Sequence, residues 1–180
     1  MHIPENDSIF YLVGESTVSK RPRPPYDDLF CDFLNDISSE LRSQKDATRY
    51  SDVMAFAFWC RKANITKLKN DYEDGKVRLG QGLVFHITPS NVPVNFAFSF
   101  AFGLLSGNAN IVRVPSKLFP QIDVICSAIN RVSEGEKYCE IKNMTAFIRY
   151  GQSDEISANI SSDCNARVIW GGDEAIRNIR

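Results

Sequence analysis

Four short polar stretches of this sequence carry residue types suited to holding an anion. They are Thr88-Pro89-Ser90-Asn91, Arg113-Val114-Pro115-Ser116, Gly151-Gln152-Ser153 and Gly171-Gly172-Asp173. Each follows a short apolar run. Three offer small or polar side chains and free backbone N–H groups at or near a helix start. Unpaired N–H groups at a helix N-terminus attract phosphate, so a phosphate or nucleotide site is one reading. Ordinary α/β turns use the same Gly, Pro, Ser and Asn, and that reading stays open on composition alone. No G-x-G-x-x-G occurs, so the usual dinucleotide fingerprint is absent.

The other reactive types say less. His86 is the only histidine besides His2, and it lies inside an apolar run, which makes it structural. The five cysteines (Cys31, Cys60, Cys126, Cys139 and Cys164) are odd in number and widely spaced, with no CxxC pair. That argues against a zinc ribbon or a dithiol redox site and for reduced thiols in a cytoplasmic protein. Cys60 and Cys126 fall on apolar helical patterns and read as core thiols. Cys164 stands in a polar loop.

The elements that must position the four stretches come next. "GLVFHIT", "NANIVRV", "MTAFIRY" and "ARVIW" read as buried strands. Between them, "PVNFAFSFAFGLLSG", "FPQIDVICSAINRV" and "SDEISANI" read as helices, and "GGDEAIRNIR" opens another. Gly107-Asn108 is a stop signal and Pro120 suits a first turn. The order β-α-β-α-β-α-β-α predicts an α/β fold, a parallel sheet with helices on both faces and right-handed crossovers. Ligands of such sheets bind outside the carboxyl ends of the strands, where the four stretches lie.

Upstream, Asp27 or Asp28 can cap a helix whose Leu29, Phe33, Ile37 and Leu41 share one face. A second helix is predicted over residues 51–68. Residues 1–26 read as an extended arm because "SKRPRPPYDD" forbids a helix interior. Three segments follow: the arm at 1–26, helices at 27–76, and a partial nucleotide-binding domain at 77–180 without a catalytic domain. Ile176 and Ile179 begin an apolar helical face with no C-cap, so the chain reads as the N-terminal part of something longer.

The totals exclude some partners. With 180 residues, 21 basic and 22 acidic, the net charge is −1, which offers no footing for nucleic acid or a membrane surface. The N-terminus lacks a signal-peptide pattern, and the apolar run at 92–105 is too short to span a bilayer.

"HITPSNVPVNFAFSFAFGLLSGNANIVRVPSK" together with "RVIWGGDEAIRNIR" resembles the bacterial acyl-CoA reductase family that supplies fatty aldehyde in bioluminescence. That family is similar to a branch of the aldehyde dehydrogenase superfamily. The superfamily's P-W-N-x-P matches Pro89-Ser90-Asn91-Val92-Pro93, with Ser for Trp. Its G-N-x-V-V-x-K-P-S matches the stretch from Gly107-Asn108 to Ser116, with Arg113 at the lysine position and one extra residue before Pro115. Its F-T-G-S matches Trp170-Gly171-Gly172-Asp173. The likeness covers about residues 77–180; upstream it rests on "FAFWCRKANI".

The resemblance implies an incomplete aldehyde dehydrogenase-like, Rossmann-like cofactor domain. Asn91 becomes an oxyanion donor, against the alternative that it caps the following helix. Arg113 lies near the adenosine ribose and suits a 2′-phosphate. Ser116 stands where NAD-preferring relatives often place an acid, so NADP (NADPH) is the implied cofactor. Gly172 lies at the pyrophosphate, and Asp173 beside it reads as a helix cap. Thr88, Pro89, Ser90 and Gly151 complete the cofactor edge. The nucleophilic cysteine lies beyond residue 180. The implied reaction reduces long-chain acyl-CoA to aldehyde through a cysteine thioester. Implied partners are an acyl-CoA or other acyl thioester donor, an acyl-protein synthetase subunit, and further copies of the full-length chain. The alternatives are a non-catalytic nucleotide-binding or interaction module and an aldehyde-oxidising dehydrogenase.

Overall fold

The computed structural model describes residues 1–3, 8–151, 153–172 and 176–177. Its first strand, β1 (Phe10–Val13), lies in the segment read from sequence as an extended arm. Three helices follow: α1 (Asp28–Ser43), α2 (Ser51–Trp59) and α3 (Lys62–Tyr72). The alternating part then runs β2 (Leu83–Ile87), α4 (Asn95–Leu105), β3 (Ala109–Arg113), α5 (Pro120–Ser133), α6 (Cys139–Asn143), β4 (Thr145–Arg149), α7 (Asp154–Asp163) and β5 (Ala166–Ile169).

Asp27, not Asp28, caps α1; its carboxylate accepts the Leu29 N–H at 2.9 Å. Phe30, Phe33, Leu34, Ile37 and Leu41 are buried on one face, a wider stripe than the spacing of four suggests. The single helix expected over 51–68 is two helices. The chain breaks at Cys60-Arg61, and Oδ1 of Asn35, from α1, accepts the Lys62 N–H at 3.0 Å. That cap comes from 27 residues away, so no local window reveals it.

The sheet order is β1-β4-β3-β2-β5, and β2 to β5 pair in parallel as expected. β1 is the difference: it adds an antiparallel edge to β4. Gly14 makes this docking possible. Its φ is +72°, and a Cβ there would lie 2.0 Å from the Thr145 carbonyl oxygen. A four-residue strand held by distant pairing leaves almost no periodic signal.

Helix α4 covers the sheet centre. Phe96 and Phe100 meet Phe147 of β4 edge-on, with ring centroids 5.7 and 5.0 Å apart. Such contacts add to the burial of large apolar rings. Helix α1 packs outside α4 and α5 as a further layer.

The connections decide where a site can form. From β2 to β3 to β4 the chain moves one way across the sheet, then α7 carries it back past both to β5. Right-handed crossovers put α4 and α5 over one face and α7 over the other. The strand order therefore reverses between β2 and β5, and the carboxyl edge there is the crevice of this Rossmann-like sheet.

Two glycines test the docking of β1. Gly14→Ala meets backbone in a left-handed conformation and should cost more than about 2 kcal/mol. Gly75→Ala, at φ +74° with nothing within 4 Å of the new Cβ, carries only the left-handed penalty of about 1 kcal/mol. Urea unfolding measures both, and equal losses would show that Gly14 does not hold β1 in place.

Candidate functional site

The candidate site is the carboxyl edge of the parallel strands. Across it the expected residues fall in the order Gly151 after β4, Arg113 and Ser116 at β3, Thr88 to Asn91 after β2, and Gly171-Gly172 after β5. Asn91 and Gly172 thus flank the crevice where strand order reverses.

Thr88 fixes the start of its loop, because its hydroxyl donates to the Arg113 carbonyl at 2.7 Å. Pro89 and Pro93 are half-buried, whereas Ser90, Asn91 and Val92 are exposed. Helix α4 begins later, with Val94 as N-cap and no side-chain cap. Asn91 therefore does not cap it, and its amide makes no hydrogen bond to any described residue. Pro89 and Pro93, each with φ fixed by its ring, bracket this exposed amide at the carboxyl edge.

Arg113 ends β3. Its guanidinium lies over the Tyr150 ring, 4.4 Å from the centroid, and Nη2 donates to the Gly151 carbonyl at 3.1 Å. Tyr150 is buried and its hydroxyl meets Ser157 Oγ at 2.9 Å. Burial raises the phenol's pKa, so a neutral ring faces the cation. Ser116 is exposed in the loop before α5, and the first turn of α5 reaches no acid until Asp123.

The helix starts differ in their fitness for phosphate. At α7, Ser153 already serves the Ile156 N–H at 3.3 Å, and Asp154 and Glu155 occupy the first turn. Two carboxylates there repel an anion. The Gly151-Gln152-Ser153 stretch, grouped with the others by composition, is a poor seat; Gln152 lies outside the described residues. At β5, Gly171 and Gly172 are exposed, and a Cβ on Gly172 would meet no described residue within 4 Å. This loop has room for a ligand to approach the backbone. Asp173 lies outside the described residues.

His86 is a core residue, as its place in the strand implied, but its partners were not legible. Nδ1 meets Ser99 Oγ at 2.7 Å, Nε2 meets Asn110 Oδ1 at 2.9 Å, and Trp170 Nε1 donates to Ser99 Oγ at 2.9 Å. Gly103 leaves the space: a Cβ there would stand 2.1 Å from Asn110 Oδ1. Burial depresses the imidazole pKa to about 4. The trace in the sequence was Ser99 itself, a polar residue inside an apolar helix.

Burial also raises the thiols, Cys31 to about 11 and Cys60, Cys126 and Cys164 upward as well. Cys164 lies in the loop after α7, as expected, but is half-buried. Cys139 is exposed but opens α6, just before β4, at the opposite edge of the sheet. Among the described residues no group of three His, Cys, Asp or Glu could hold a metal. No described helix is long and apolar enough to cross a membrane.

The imidazole makes stability depend on pH. Unfolded, His86 takes a proton near pH 6.5; folded, it stays neutral down to about pH 4. Its contribution is complete above pH 6.5 and is lost as pH falls toward 4, where only the unfolded chain binds the proton. The loss is on the order of 3 kcal/mol. Urea unfolding from pH 4 to 7 should show this slope, and His86→Gln should flatten it; an equal slope in the variant would contradict the assignment.

The family model described as acyl-CoA reductase (LuxC) matches residues 40–180. No curated protein and no solved structure matches the chain. The match takes in the last turn of α1, helices α2 and α3, the whole alternating part and every candidate residue at the carboxyl edge, and the chain belongs to the acyl-CoA reductase (LuxC) family.

Proposed function

We propose that this chain forms the nucleotide side of a reductase that converts acyl-CoA to aldehyde with NADPH through a cysteine thioester, and that Asn91 is its oxyanion donor. The observation that carries the reading is Asn91: an exposed amide between two prolines that bonds no described residue, at the strand-order reversal beside two exposed glycines. Family membership supplies the substrate class.

The roles follow from charge. When a thiolate adds to the acyl carbonyl, negative charge gathers on the oxygen and CoA leaves as its thiolate. The Asn91 amide donates to that oxygen, and the prolines hold it so that little reorganisation is needed. NADPH held at this edge would supply the hydride that reduces the thioester to aldehyde and frees the thiolate. Arg113, braced on Tyr150 and Gly151, presents a planar cation to a ribose 2′-phosphate. The Gly171-Gly172 loop leaves backbone open to the pyrophosphate. The nucleophile comes from outside these residues, because four of the thiols are disfavoured as thiolates and Cys139 faces the other edge.

Two measurements test this. NADPH should bind more tightly than NADH, and Arg113→Ala should erase most of the difference; equal affinities that the substitution leaves alone would remove the basis for NADPH. In the protein that carries the thiol, Asn91→Ala should slow single-turnover acylation by roughly 100-fold. The melting temperature of the 180-residue chain should stay put, since the Asn91 side chain bonds no described residue. Normal acylation with a lowered melting temperature would make Asn91 a structural residue.

A further inference from the structure

A directed chain of hydrogen bonds crosses the interior from β3 to the exit of β5. Asn110 donates from Nδ2 to the Asn108 carbonyl at 2.8 Å, which turns its Oδ1 toward His86 Nε2. An amide oxygen only accepts, so Nε2 carries the hydrogen and Nδ1 is left with a lone pair. The Ser99 hydroxyl donates its single hydrogen to Nδ1. Only lone pairs of Ser99 Oγ then remain, and one accepts the indole N–H of Trp170. Asn110, His86 and Ser99 are 0, 1 and 2% exposed, so an unpaired group among them would be costly.

Ser99, His86 and Asn110 are also the residue types of an acyl-transfer array. The geometry speaks against that use. The Ser99 oxygen is occupied by the indole, and Ser99 lies within α4, whose N–H groups serve the helix and leave no oxyanion hole. With a pKa near 4, His86 is also a weak base for a serine hydroxyl.

What the chain of bonds does reach is the exit of β5. That strand is the sheet edge, paired on one side by β2. Trp170 follows it directly, held by its backbone N–H on the Ile87 carbonyl at 3.0 Å and by its indole on Ser99. Gly171 and Gly172, which have no side chains to anchor them, come next. A cavity of 260 Å³ lies against this indole, lined by Val84, Phe102, Ala166 and Val168, so packing alone leaves the ring room to move.

We propose that Asn110, His86 and Ser99 form a buried latch that grips Trp170 and thereby sets the Gly171-Gly172 loop for nucleotide phosphate. Ser99 and His86 are positioning residues for this loop, and the proposal rests on the nucleotide reading of the site. Trp170→Phe removes the indole N–H, keeps an aromatic ring and leaves the Ser99–His86 bond intact, so it should fold.

The test uses the 180-residue chain and calorimetric titration with NADPH. Trp170→Phe and Ser99→Ala should each weaken binding about five- to tenfold, the weight of one hydrogen bond, and the double variant no further. Ser99→Thr, which keeps the hydroxyl, should recover most of the affinity. With Trp59→Phe leaving Trp170 as the sole tryptophan, Ser99→Ala should raise acrylamide quenching of its fluorescence. A folded Trp170→Phe chain that binds NADPH as tightly as the parent, or losses that add in the double variant, would overturn the latch. If the parent binds neither NADPH nor NADH, the nucleotide reading falls on its own. Unchanged quenching in Ser99→Ala would then sink the grip on Trp170 separately.

Discussion

The pairing of β5 with β2 is the constraint on which the candidate site depends. Val84, Phe85, His86 and Ile87 lie opposite Ala166, Arg167, Val168 and Ile169. Were β5 to add beyond β4 instead, the strand order would run one way and no crevice would open. Placed beside β2, it brings the exposed glycines after Trp170 next to the loop that carries Asn91. β2 can accept a neighbour on each side because all five of its residues are buried and its backbone bonds are shared between β3 and β5.

A strand buried on both faces with a histidine in it carries an obligation. A neutral imidazole offers one donor and one acceptor, and both must be met. Asn110 of β3 and Ser99 of α4 meet them, so the polar group that interrupts the apolar strand joins its neighbours across the sheet and above it. Gly103 is the matching concession in the helix, since any side chain there would collide with Asn110. The edge chemistry differs in kind. There the polar groups are exposed or half-buried, and Asn91 has no hydrogen-bond partner among the described residues. The His86 cluster is paired throughout, while Ser90, Asn91 and Ser116 stand exposed at the strand ends.

Much of this was legible in the chain. Apolar runs bounded by turn residues marked β2 to β5, and Gly107 ended α4 where the sequence put it, at φ +82°. The strand-end loops followed once the order of elements was read. What escaped had distant causes. β1 depends on Gly14 meeting β4, more than a hundred residues on. The break between α2 and α3 is met by Asn35 from another helix. The short α6 has too few residues for a period. Within the site, the standing of Asn91 as capless and unengaged needed the position of Val94, and the poor seat at α7 needed Ser153, Asp154 and Glu155 seen together at a helix start. Ser99 was visible as an exception in an apolar helix, but its link to Trp170 spans 71 residues.

The central claim is that the carboxyl edge between β2 and β5 receives the nucleotide. Backbone amide chemical shifts of the 180-residue chain, followed during titration with NADPH, test it most directly. The account predicts that shifts concentrate at Thr88, Ser90, Asn91, Arg113, Ser116, Gly171 and Gly172. The amino edge, from Gly80 to Gly82 and from Cys139 to Met144, should stay still. Saturable shifts confined to the amino edge, or none anywhere at millimolar NADPH, would contradict it.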